Sequence, residues 1–442
     1  MKKKIISVVL AAMLVGCGAA GDNDQEASFT SASDLMSDDT AQNGDTEITD
    51  DATDSANADD SNTDSLTEDE MATEITIPEI EIAGKDIPDN ESLKFVQDMK
   101  LGFNIGNTFD AFVDSNVNDD LTIETAWGND KVTRQFIQAV HENGFNTVRI
   151  PVSWHNHVDE NYNINEAWLD RVQEVVDYAI EEDMYVIINI HHDNHLEAGG
   201  FYPDEEHKDQ SIKYVESIWT QVADRFKDYD NKLIFEALNE PRLVGHNNEW
   251  WIDPNNEDCK TAISIINELN QKFVDVVRAS GSNNTDRYLM CPGYCASPDG
   301  VLNDGFVIPT DSADNKIILS IHAYTPYSFA LESPGIDNFD VSSSLSTKDI
   351  DYFMDNIYNK YISQGIPVLV GECGCVDKNG NLQDRVDWAA YYTAKARSCG
   401  LTVCWWDNGA FTGNGELFGF IRRDEGTCAY PDILNAMLKY CE

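Results

Sequence analysis

Apolar residues dominate the run Leu233-Ile234-Phe235-Glu236-Ala237-Leu238-Asn239-Glu240-Pro241-Arg242, which is too short for a helix and ends in an amide, a carboxylate and a proline. This composition is typical of a buried strand with polar groups at its end. A second run, Pro367-Val368-Leu369-Val370-Gly371-Glu372, also brings a glutamate to the end of an apolar segment. Two carboxylates placed in this way are the groups that cleave a glycosidic bond.

Short apolar runs alternate with amphipathic stretches from about Ile82 onward, a pattern that indicates repeated strand–helix units around a parallel sheet. The predicted strands are Gly102–Ile105, Thr147–Ile150, Tyr185–Ile190, Leu233–Ala237, Tyr288–Cys291, Ile317–Ile321, Val368–Val370 and Thr402–Trp405. The predicted helices are Val132–Glu142, Glu166–Glu182, Ile212–Phe226, Cys259–Ala279, Lys348–Ser363, Arg385–Ser398 and Pro431–Leu438. Between Cys291 and Ile317 turn residues predict little regular helix. Eight such strands favour an α/β fold, a closed (β/α)8 TIM barrel.

The chain begins with a charged segment and a short apolar segment, which together are typical of a secretory signal rather than a membrane-spanning helix. This signal ends in Leu14-Val15-Gly16-Cys17, which resembles the lipobox of bacterial lipoproteins. The resemblance implies cleavage before Cys17 and a lipid on its sulfur. Ordinary secretion with an incidental cysteine is the alternative.

The segment after Cys17 is rich in Asp, Ser, Thr, Ala, Asn and Glu, and has no Lys or Arg before Lys85. Such a segment repels itself and has little to bury, so it is predicted to be a disordered tether. The expected domains are a signal peptide at 1–16, an acidic tether at 17–80 and a catalytic domain at 81–442. The expected location is the extracellular face of a bacterial cell, lipid-anchored to the membrane or otherwise secreted.

A formal net charge of −49 argues against nucleic acid as a partner and against contact of the domain with anionic lipid. A neutral polysaccharide is compatible with this charge, and the membrane is reached through the lipid anchor only. Of the ten cysteines, nine remain once Cys17 is set aside. Their spacing does not fit a zinc site, and most are expected to be free buried thiols, with one or two disulfides left open.

Polar and aromatic residues gather at the ends of nearly all the predicted strands, where the active site of a barrel lies. They are Asn104 to Asp110, Arg149 to Trp154, Asn189 to Asp193, Asn239 and Glu240, His322 to Tyr327, Glu372, and Trp405 to Gly409.

This set of residues resembles glycoside hydrolase family 5, the retaining cellulases, and most closely its subfamily 4. The resemblance spans about Leu101 to Gly409. Its most specific match is Phe235 to Arg242, with Glu124-Thr125-Ala126-Trp127-Gly128 similar to the first-strand signature. The family implies a monomeric endo-β-1,4-glucanase that needs no cofactor and acts on cellulose, mixed-linkage β-glucan or xyloglucan. Mannanase or xylanase activity, or a non-catalytic polysaccharide-binding lipoprotein, are the alternatives.

The resemblance implies a role for each matching residue. Glu240 is the expected general acid and base, held protonated near neutral pH by a less polar setting, and Glu372 is the expected nucleophile. Arg149 is expected to pair with Glu372. The expected sugar-contacting or positioning residues are Asn107, Trp127, His191, His192, Asn239, His322, Tyr324, Trp405 and Trp406. Only one of the two adjacent tryptophans is expected to face the cleft, and the family pattern favours Trp405.

A metal site at His191-His192-Asp193 is the competing interpretation of that cluster. Adjacent histidines on a strand diverge, and no suitably spaced third ligand is evident in the sequence, so sugar contact is favoured and no metal is expected.

Overall fold

Eight parallel strands form a closed barrel in chain order, with the first strand paired to the last. The computed structural model describes residues 74–113, 121–196, 199–413 and 415–442. The barrel strands are β1 (Leu101–Ile105), β2 (Thr147–Ile150), β3 (Tyr185–Asn189), β4 (Leu233–Glu236), β5 (Leu289–Pro292), β6 (Ile317–His322), β7 (Val368–Cys373) and β8 (Thr402–Asp407). A two-stranded antiparallel ribbon, β9 (Ile421–Arg422) and β10 (Thr427–Cys428), follows them.

Helices surround the barrel and connect most of its strands. They are α1 (Glu91–Asp98), α2 (Arg134–Glu142), α3 (Glu166–Glu181), α4 (Lys208–Phe226), α5 (Glu257–Ala279), α6 (Pro298–Leu302), α7 (Tyr327–Ala330), α8 (Ser344–Lys360), α9 (Leu382–Ser398) and α10 (Pro431–Tyr440). No helix among the described residues is both long enough and apolar enough to cross a membrane.

The predicted barrel is confirmed, and each predicted strand overlaps an observed one. The connection from β5 to β6 contains only a 3-10 turn and the five-residue α6, as its turn residues predicted. Helix α1 and the β9–β10 ribbon were not predicted. Helix α4 begins at Lys208, one turn before the predicted start at Ile212.

Side chains fill the barrel interior in layers because alternate residues of each strand point inward. The lowest layer is apolar and contains Ile187, Ile234, Met290, Ile318, Leu369 and Cys404. Two residues further along the strands, the inward side chains are polar, and they are Asn104, Arg149, Asn189, Glu236 and Ser320, all with no exposed surface. The catalytic groups predicted from the sequence lie above this polar layer.

Helix α1 closes the amino-terminal end of the barrel. Val96 and Met99 pack with the lowest interior layer, and the Phe95 ring stacks on Tyr288 with centroids 3.8 Å apart. Asn90 caps the helix by accepting a hydrogen bond from the backbone N–H of Leu93 at 2.8 Å. With one end closed by α1, access to the interior is from the carboxyl ends of the strands.

Residues just before α1 pack on the outside of the barrel. Ile75, Ile77 and Ile80 contact the core, and the backbone N–H of Ile80 donates to the Tyr440 hydroxyl at 2.8 Å. These residues form one compact unit with the barrel, although the predicted domain boundary lies at 81. The predicted signal peptide, Cys17 and the tether up to residue 73 lie outside the described residues.

All nine cysteines of the described part of the chain are free thiols, and eight of them are buried. Burial raises the pKa of each one that lies inside the barrel wall, including Cys404 to about 12. The prediction that most are free buried thiols is therefore confirmed, and the one or two disulfides left open by the sequence do not form among these residues.

Candidate active site

Glu240 and Glu372 meet at the carboxyl end of the barrel, with only 6% and 3% of their surface exposed. His322 lies between them, with its Nδ1 atom 2.8 Å from Glu240 Oε1 and 3.6 Å from Glu372 Oε1. One oxygen of each carboxylate lies within 4.8 Å of the other. The two strands β4 and β7 therefore bring both predicted carboxylates to one point.

Arg149 is the hub of this site and is fully buried. Its Nη1 donates to Glu372 Oε1 at 2.7 Å and to Asn104 Oδ1 at 2.9 Å, and its Nη2 donates to Asn239 Oδ1 at 2.8 Å. Its Nε donates to Glu236 Oε2 at 2.7 Å. Burial alone lowers the pKa of Arg149, but the two carboxylates outweigh burial and raise it, so the guanidinium stays charged.

Glu372 receives two hydrogen bonds from buried donors. Besides Arg149, the Tyr324 hydroxyl donates to Glu372 Oε2 at 3.0 Å. Burial, and then the nearby carboxylates, raise the pKa of Tyr324 well above its ordinary value, so the phenol remains a donor. Donors to both oxygens fix the orientation of the Glu372 carboxylate.

Glu240 stands in a mixed environment. Burial raises the pKa of Glu240, whereas the hydrogen bond from His322 and the nearby Arg242 lower it, and the result is a pKa below the ordinary value. Arg149 only donates, so the His322 Nε2 atom 3.4 Å from it is the acceptor and the Nδ1–H donates to Glu240. The prediction that a less polar setting holds Glu240 protonated near neutral pH is wrong, because His322 and Arg242 oppose the effect of burial on its pKa.

One side of the mouth is lined by aromatic rings and histidines. The His191 ring lies parallel to Trp406 with centroids 5.8 Å apart, and the Trp127 ring lies 5.4 Å from that of His192. Burial lowers the pKa of His191 well below its ordinary value and that of His192 to about 3. Both imidazoles are therefore neutral at physiological pH, and a neutral imidazole both donates and accepts hydrogen bonds, as a sugar hydroxyl requires.

Asn107 contributes to this side mainly through its backbone. Its φ of 55° is left-handed, and its N–H donates to Asp110 Oδ2 at 3.0 Å while its carbonyl accepts from Asn129 Nδ2 at 3.1 Å. Asn107 therefore shapes the turn that follows β1.

The two adjacent tryptophans of β8 point in opposite directions. Cys404 belongs to the inner layer, so by alternation Trp406 faces the interior, and it keeps 8% of its surface exposed. Trp405 has no exposed surface and packs under the helices against Phe420, with ring centroids 4.5 Å apart. The preference for Trp405 as the residue that faces the cleft is therefore wrong, since it has no accessible face, and Trp406 is the member of the pair that faces the mouth.

A third ligand-type group does lie near the two histidines. It is Asp110, on the segment after β1, and one donor atom each from Asp110, His191 and His192 lie within 4.8 Å of one another. Asp193 instead accepts from the backbone of Trp154 and from the His155 ring at 2.7 Å. The expectation that no suitably spaced third metal ligand exists was wrong, because Asp110 is distant from the two histidines in the sequence and comes near them only in the folded barrel.

Asp110 is nevertheless fully engaged by the protein. Its Oδ1 accepts from the N–H of Thr108 at 2.8 Å and its Oδ2 from the N–H of Asn107. Its burial raises its pKa to about 6. The distance from Asp110 Oδ2 to His192 Nε2 is 3.8 Å. These hydrogen bonds give Asp110 a structural role in shaping the turn after β1. His191 and His192 line the mouth.

Glu236 was missed by the sequence reasoning although it lies in the quoted run. It is completely buried and accepts hydrogen bonds from Arg149, from Asn189 Nδ2 at 3.0 Å and from Ser320 Oγ at 2.5 Å. The signal that could have found it is a carboxylate inside an otherwise apolar strand, two residues after the inward-facing Ile234, because such a charge must have a buried partner.

A groove of about 1120 Å³ extends from Glu240 over the ends of β5 and β6 toward helix α8. Its walls carry the aromatic residues Trp250, Tyr324, Tyr327, Tyr352 and Phe353, and the acidic residues Asp299, Glu332 and Asp349. Trp250 is held by Arg242, whose guanidinium carbon lies 4.0 Å from its ring centroid. The groove next to Glu240 thus combines aromatic faces with acidic side chains.

Comparison with known proteins agrees with this geometry. The cellulase family, glycosyl hydrolase family 5, matches residues 113–412. Endoglucanase B of Ruminococcus albus is 43% identical over 350 residues, which are 78% of this chain and 80% of that protein.

Solved structures give the same result. A family 5 lichenase from Caldicellulosiruptor sp. F32 is 57% identical, with a TM-score of 0.81 over 84% of this chain and 100% of that one. A broad-specificity endoglucanase of subfamily 4 from Ruminococcus champanellensis, solved with bound cellotriose, is 42% identical with a TM-score of 0.73 over 80% of this chain and 100% of that one. The chain therefore belongs to the cellulases of glycosyl hydrolase family 5 and is a glycoside hydrolase of the endoglucanase type.

Proposed function

We propose that this enzyme hydrolyses internal β-1,4-glucosidic bonds of neutral β-glucans by double displacement, with retention of anomeric configuration. The observation that carries the proposal is the short separation of Glu240 and Glu372, which have oxygens within 4.8 Å of each other. Retaining enzymes place their carboxyl groups ~5–5.5 Å apart, whereas inverting enzymes need ~6.5–9.5 Å to admit a water molecule.

In the first step Glu372 attacks the anomeric carbon while the bond to the leaving oxygen breaks. The proton of Glu240 moves to that oxygen, and a glycosyl ester forms on Glu372. Arg149 and Tyr324 hold the attacking carboxylate in place. Because Arg149 occupies Asn239 Oδ1, the Asn239 amide N–H remains to donate to the sugar 2-hydroxyl, a contact that strengthens in the transition state.

Glu240 has to carry a proton for that step. Burial raises the pKa of Glu240, but His322 and Arg242 outweigh burial and lower it. A bound glucan covers the 6% of Glu240 that is exposed, which adds desolvation and favours the protonated form.

The ester on Glu372 is neutral, so the proton affinity of Glu240 falls after the first step. Glu240 then accepts a proton from a water molecule, and that water releases the sugar from Glu372. The carboxylate charge of Glu372 and the proton of Glu240 are both restored, so the cycle closes.

The groove next to Glu240 is the leaving-group side of the cleft, because the general acid must stand beside the leaving oxygen. The opposite side, with Trp127, His191, His192 and Trp406, then holds the glycone. This assignment gives the cleft a direction: the new reducing end forms over Glu372, and the released fragment leaves over Trp250 and Tyr352.

Mixed-linkage β-glucan is the substrate we favour among cellulose, mixed-linkage β-glucan and xyloglucan. The Caldicellulosiruptor lichenase supports this choice, because it is 57% identical to this protein and is matched over 100% of its own length. Initial rates on lichenan, xyloglucan, carboxymethyl-cellulose, unsubstituted cellulose, xylan and mannan test this substrate preference. A higher rate on mannan or xylan than on every glucan would reject the glucanase assignment.

Chemical rescue tests the two carboxylate roles. Glu372→Ala is expected to lose activity on lichenan, and azide is expected to restore turnover of an activated β-glucoside with an α-glycosyl azide as the product, because azide replaces the nucleophile from the opposite face. Glu240→Ala with azide is expected to give the β-glycosyl azide.

Glu142→Ala, at an exposed position of α2, is the matched control and is expected to behave as the parent enzyme. A Glu372→Ala enzyme that folds and retains activity within a few-fold of the parent would overturn the mechanism.

We also propose that the enzyme acts as a monomer held at the extracellular face of a bacterial cell by a lipid on Cys17. The support is the run Leu14-Val15-Gly16-Cys17 and the acidic segment after it. Cys17→Ala is expected to release the enzyme into the medium, and continued membrane association of that variant would reject the anchor. Light scattering coupled to size-exclusion chromatography measures the oligomeric state.

A further inference from the structure

Glu236 is a buried carboxylate that the double displacement itself does not use. It lies in the polar layer beneath the catalytic groups and has no exposed surface. Its Oε2 accepts from Arg149 Nε at 2.7 Å and from Asn189 Nδ2 at 3.0 Å, and its Oε1 accepts from Ser320 Oγ at 2.5 Å. Three strands, β2, β3 and β6, thus supply donors to this one group.

Arg149 connects Glu236 to the catalytic centre. The same guanidinium donates to Glu236 and to Glu372, both at 2.7 Å, so one cation is shared by two anions. The cluster of Arg149, Glu236 and Glu372 therefore has a net charge of −1 when both carboxylates are ionised.

Other titratable groups surround this cluster on every side. They are His191 and His192 after β3, Glu240 and Arg242 after β4, Cys291 and Cys295 at β5, His322 and Tyr324 at β6, and Cys404 on β8. His191 and His192 are neutral, the thiols and the phenol keep their protons, and Arg242 contributes a positive charge beside Glu240. Glu249 forms an ion pair with Arg242 at 3.1 Å at the edge of the site. Glu236 is the negative charge that opposes Arg149 from within the polar layer, where it has no exposed surface.

We propose that Glu236 is a positioning residue that fixes Arg149 and supplies the negative charge that sets the pH range over which the enzyme works. The inference rests on the proposed roles of Glu240 and Glu372. A negative charge near a carboxyl group favours its protonated form. Glu236 therefore acts against His322 and Arg242 in helping Glu240 retain its proton, and it competes with Glu372 for the single charge of Arg149.

Neutralising Glu236 without changing its shape is the direct test. For Glu236→Gln, both limbs of the pH profile of kcat/KM on lichenan are expected to move to lower pH, by about 0.5–1 unit for a unit charge screened by the shared guanidinium. Ser320→Ala removes a neutral donor from the same carboxylate and is the matched control, with both limbs expected to stay in place. Glu236→Asp retains the charge and is expected to keep both limbs within about 0.2 unit of the parent, even where its shorter side chain lowers kcat.

A lower kcat for Glu236→Gln with unmoved limbs would show that Glu236 is only a structural support and would overturn the proposal. An acidward shift for Glu236→Asp equal to that of Glu236→Gln would also overturn it, because geometry rather than charge would then be the cause. Circular dichroism checks folding, and if Glu236→Gln does not fold, Glu236→Ala replaces it as the variant that removes the charge, with the same shift of both limbs expected and unmoved limbs again overturning the proposal. Failure here leaves the azide-rescue result for Glu372→Ala intact, so it is distinguishable from failure of the proposed mechanism.

Discussion

Replacing each of the two adjacent tryptophans of β8 by alanine is expected to have different consequences. Trp405 and Trp406 have the same chemistry and neighbouring positions, but one faces the helices and the other faces the mouth. A comparison of Trp405→Ala with Trp406→Ala therefore separates packing from substrate contact within a single strand, and each variant is the control for the other.

Trp405→Ala removes a ring that contacts Phe420 at 4.5 Å and Trp388 at 6.2 Å, both measured between ring centroids. Replacing a fully buried aromatic residue by alanine costs ~3–5 kcal/mol of unfolding free energy, which lowers the melting temperature by roughly 5–10 °C in a domain of this size. At a temperature where this variant is folded, its kcat/KM on lichenan is expected to stay within about 3-fold of the parent.

Trp406→Ala removes the surface that stands over the mouth beside His191. Taking an aromatic face away from a bound sugar costs ~1.5–3 kcal/mol, which is a fall of about 10–100-fold in kcat/KM. Because Trp406 is itself only 8% exposed, this variant also loses some stability. The deciding measurement is therefore kcat/KM of the folded variants, made at 20 °C alongside urea unfolding. Equal losses of kcat/KM in both variants would refute the orientation of β8.

Three further outcomes follow from the site. Tyr324→Phe removes the hydrogen bond to Glu372 Oε2 and is expected to lower kcat/KM by about 10–100-fold, because a hydrogen bond to a buried charge contributes ~1.5–3 kcal/mol. An unchanged circular dichroism spectrum checks that the variant is folded. The double variant Asp349→Asn, Glu332→Gln reduces the negative charge of the groove. Because carboxymethyl-cellulose is anionic, its KM is expected to fall about 2–5-fold at low salt, whereas the KM for neutral lichenan is expected to stay unchanged. In the folded enzyme the pKa of His192 is lowered by burial to about 3. Below pH ~6.5 the unfolded chain therefore binds a proton at His192 and the folded enzyme does not, so stability is lost as the pH falls from ~6.5 toward 3. His192→Gln is expected to reduce that acid loss by about 1–2 kcal/mol in urea unfolding at pH 4.5 compared with pH 7, and an unaltered acid loss would refute the neutral assignment.

The barrel itself is predictable from the sequence because its strands are apolar on both faces. A run such as Leu233 to Phe235 has to be buried between the barrel interior and the helices, and in this strand the polar residues come at its end. The same logic located Glu240 and Glu372 at the mouth, whereas Arg149 lies in the polar layer beneath them. Helix α1 escaped prediction because it is only eight residues long and its capping residue, Asn90, stands in a segment that also reads as a turn.

Contacts between distant segments are less predictable. Asp110 approaches His191 and His192 only because the segment after β1 folds over the end of β3, and no spacing in the sequence encodes that approach. The ionisation of Glu240 likewise depends on His322, whose tautomer is fixed by Arg149 on a third strand. Such properties belong to the closed barrel and not to any one motif.

Glu372 shows how a single irregularity decides which side chain reaches the site. Leu369 faces the barrel interior, so strict alternation along β7 puts Gly371 inward and Glu372 outward. The register of β7 shifts against both neighbours, between Ile321 and His322 of β6 and between Val370 and Cys373, and Glu372 comes to lie opposite His322. A bulge of this kind re-aims a side chain next to an active site.

Gly371 is the residue that makes room for this irregularity. A Cβ atom on this residue would lie 3.2 Å from His322 Nε2 and 3.3 Å from Ser320 Oγ. The Gly371 carbonyl accepts a hydrogen bond from Asn104 Nδ2 at 2.8 Å. A larger residue would press on the histidine that spans the two carboxylates and on the serine that bonds Glu236. A side chain before Glu372 would therefore displace His322 and Ser320 by a few tenths of an ångström, and these two residues contact Glu240, Glu372 and Glu236.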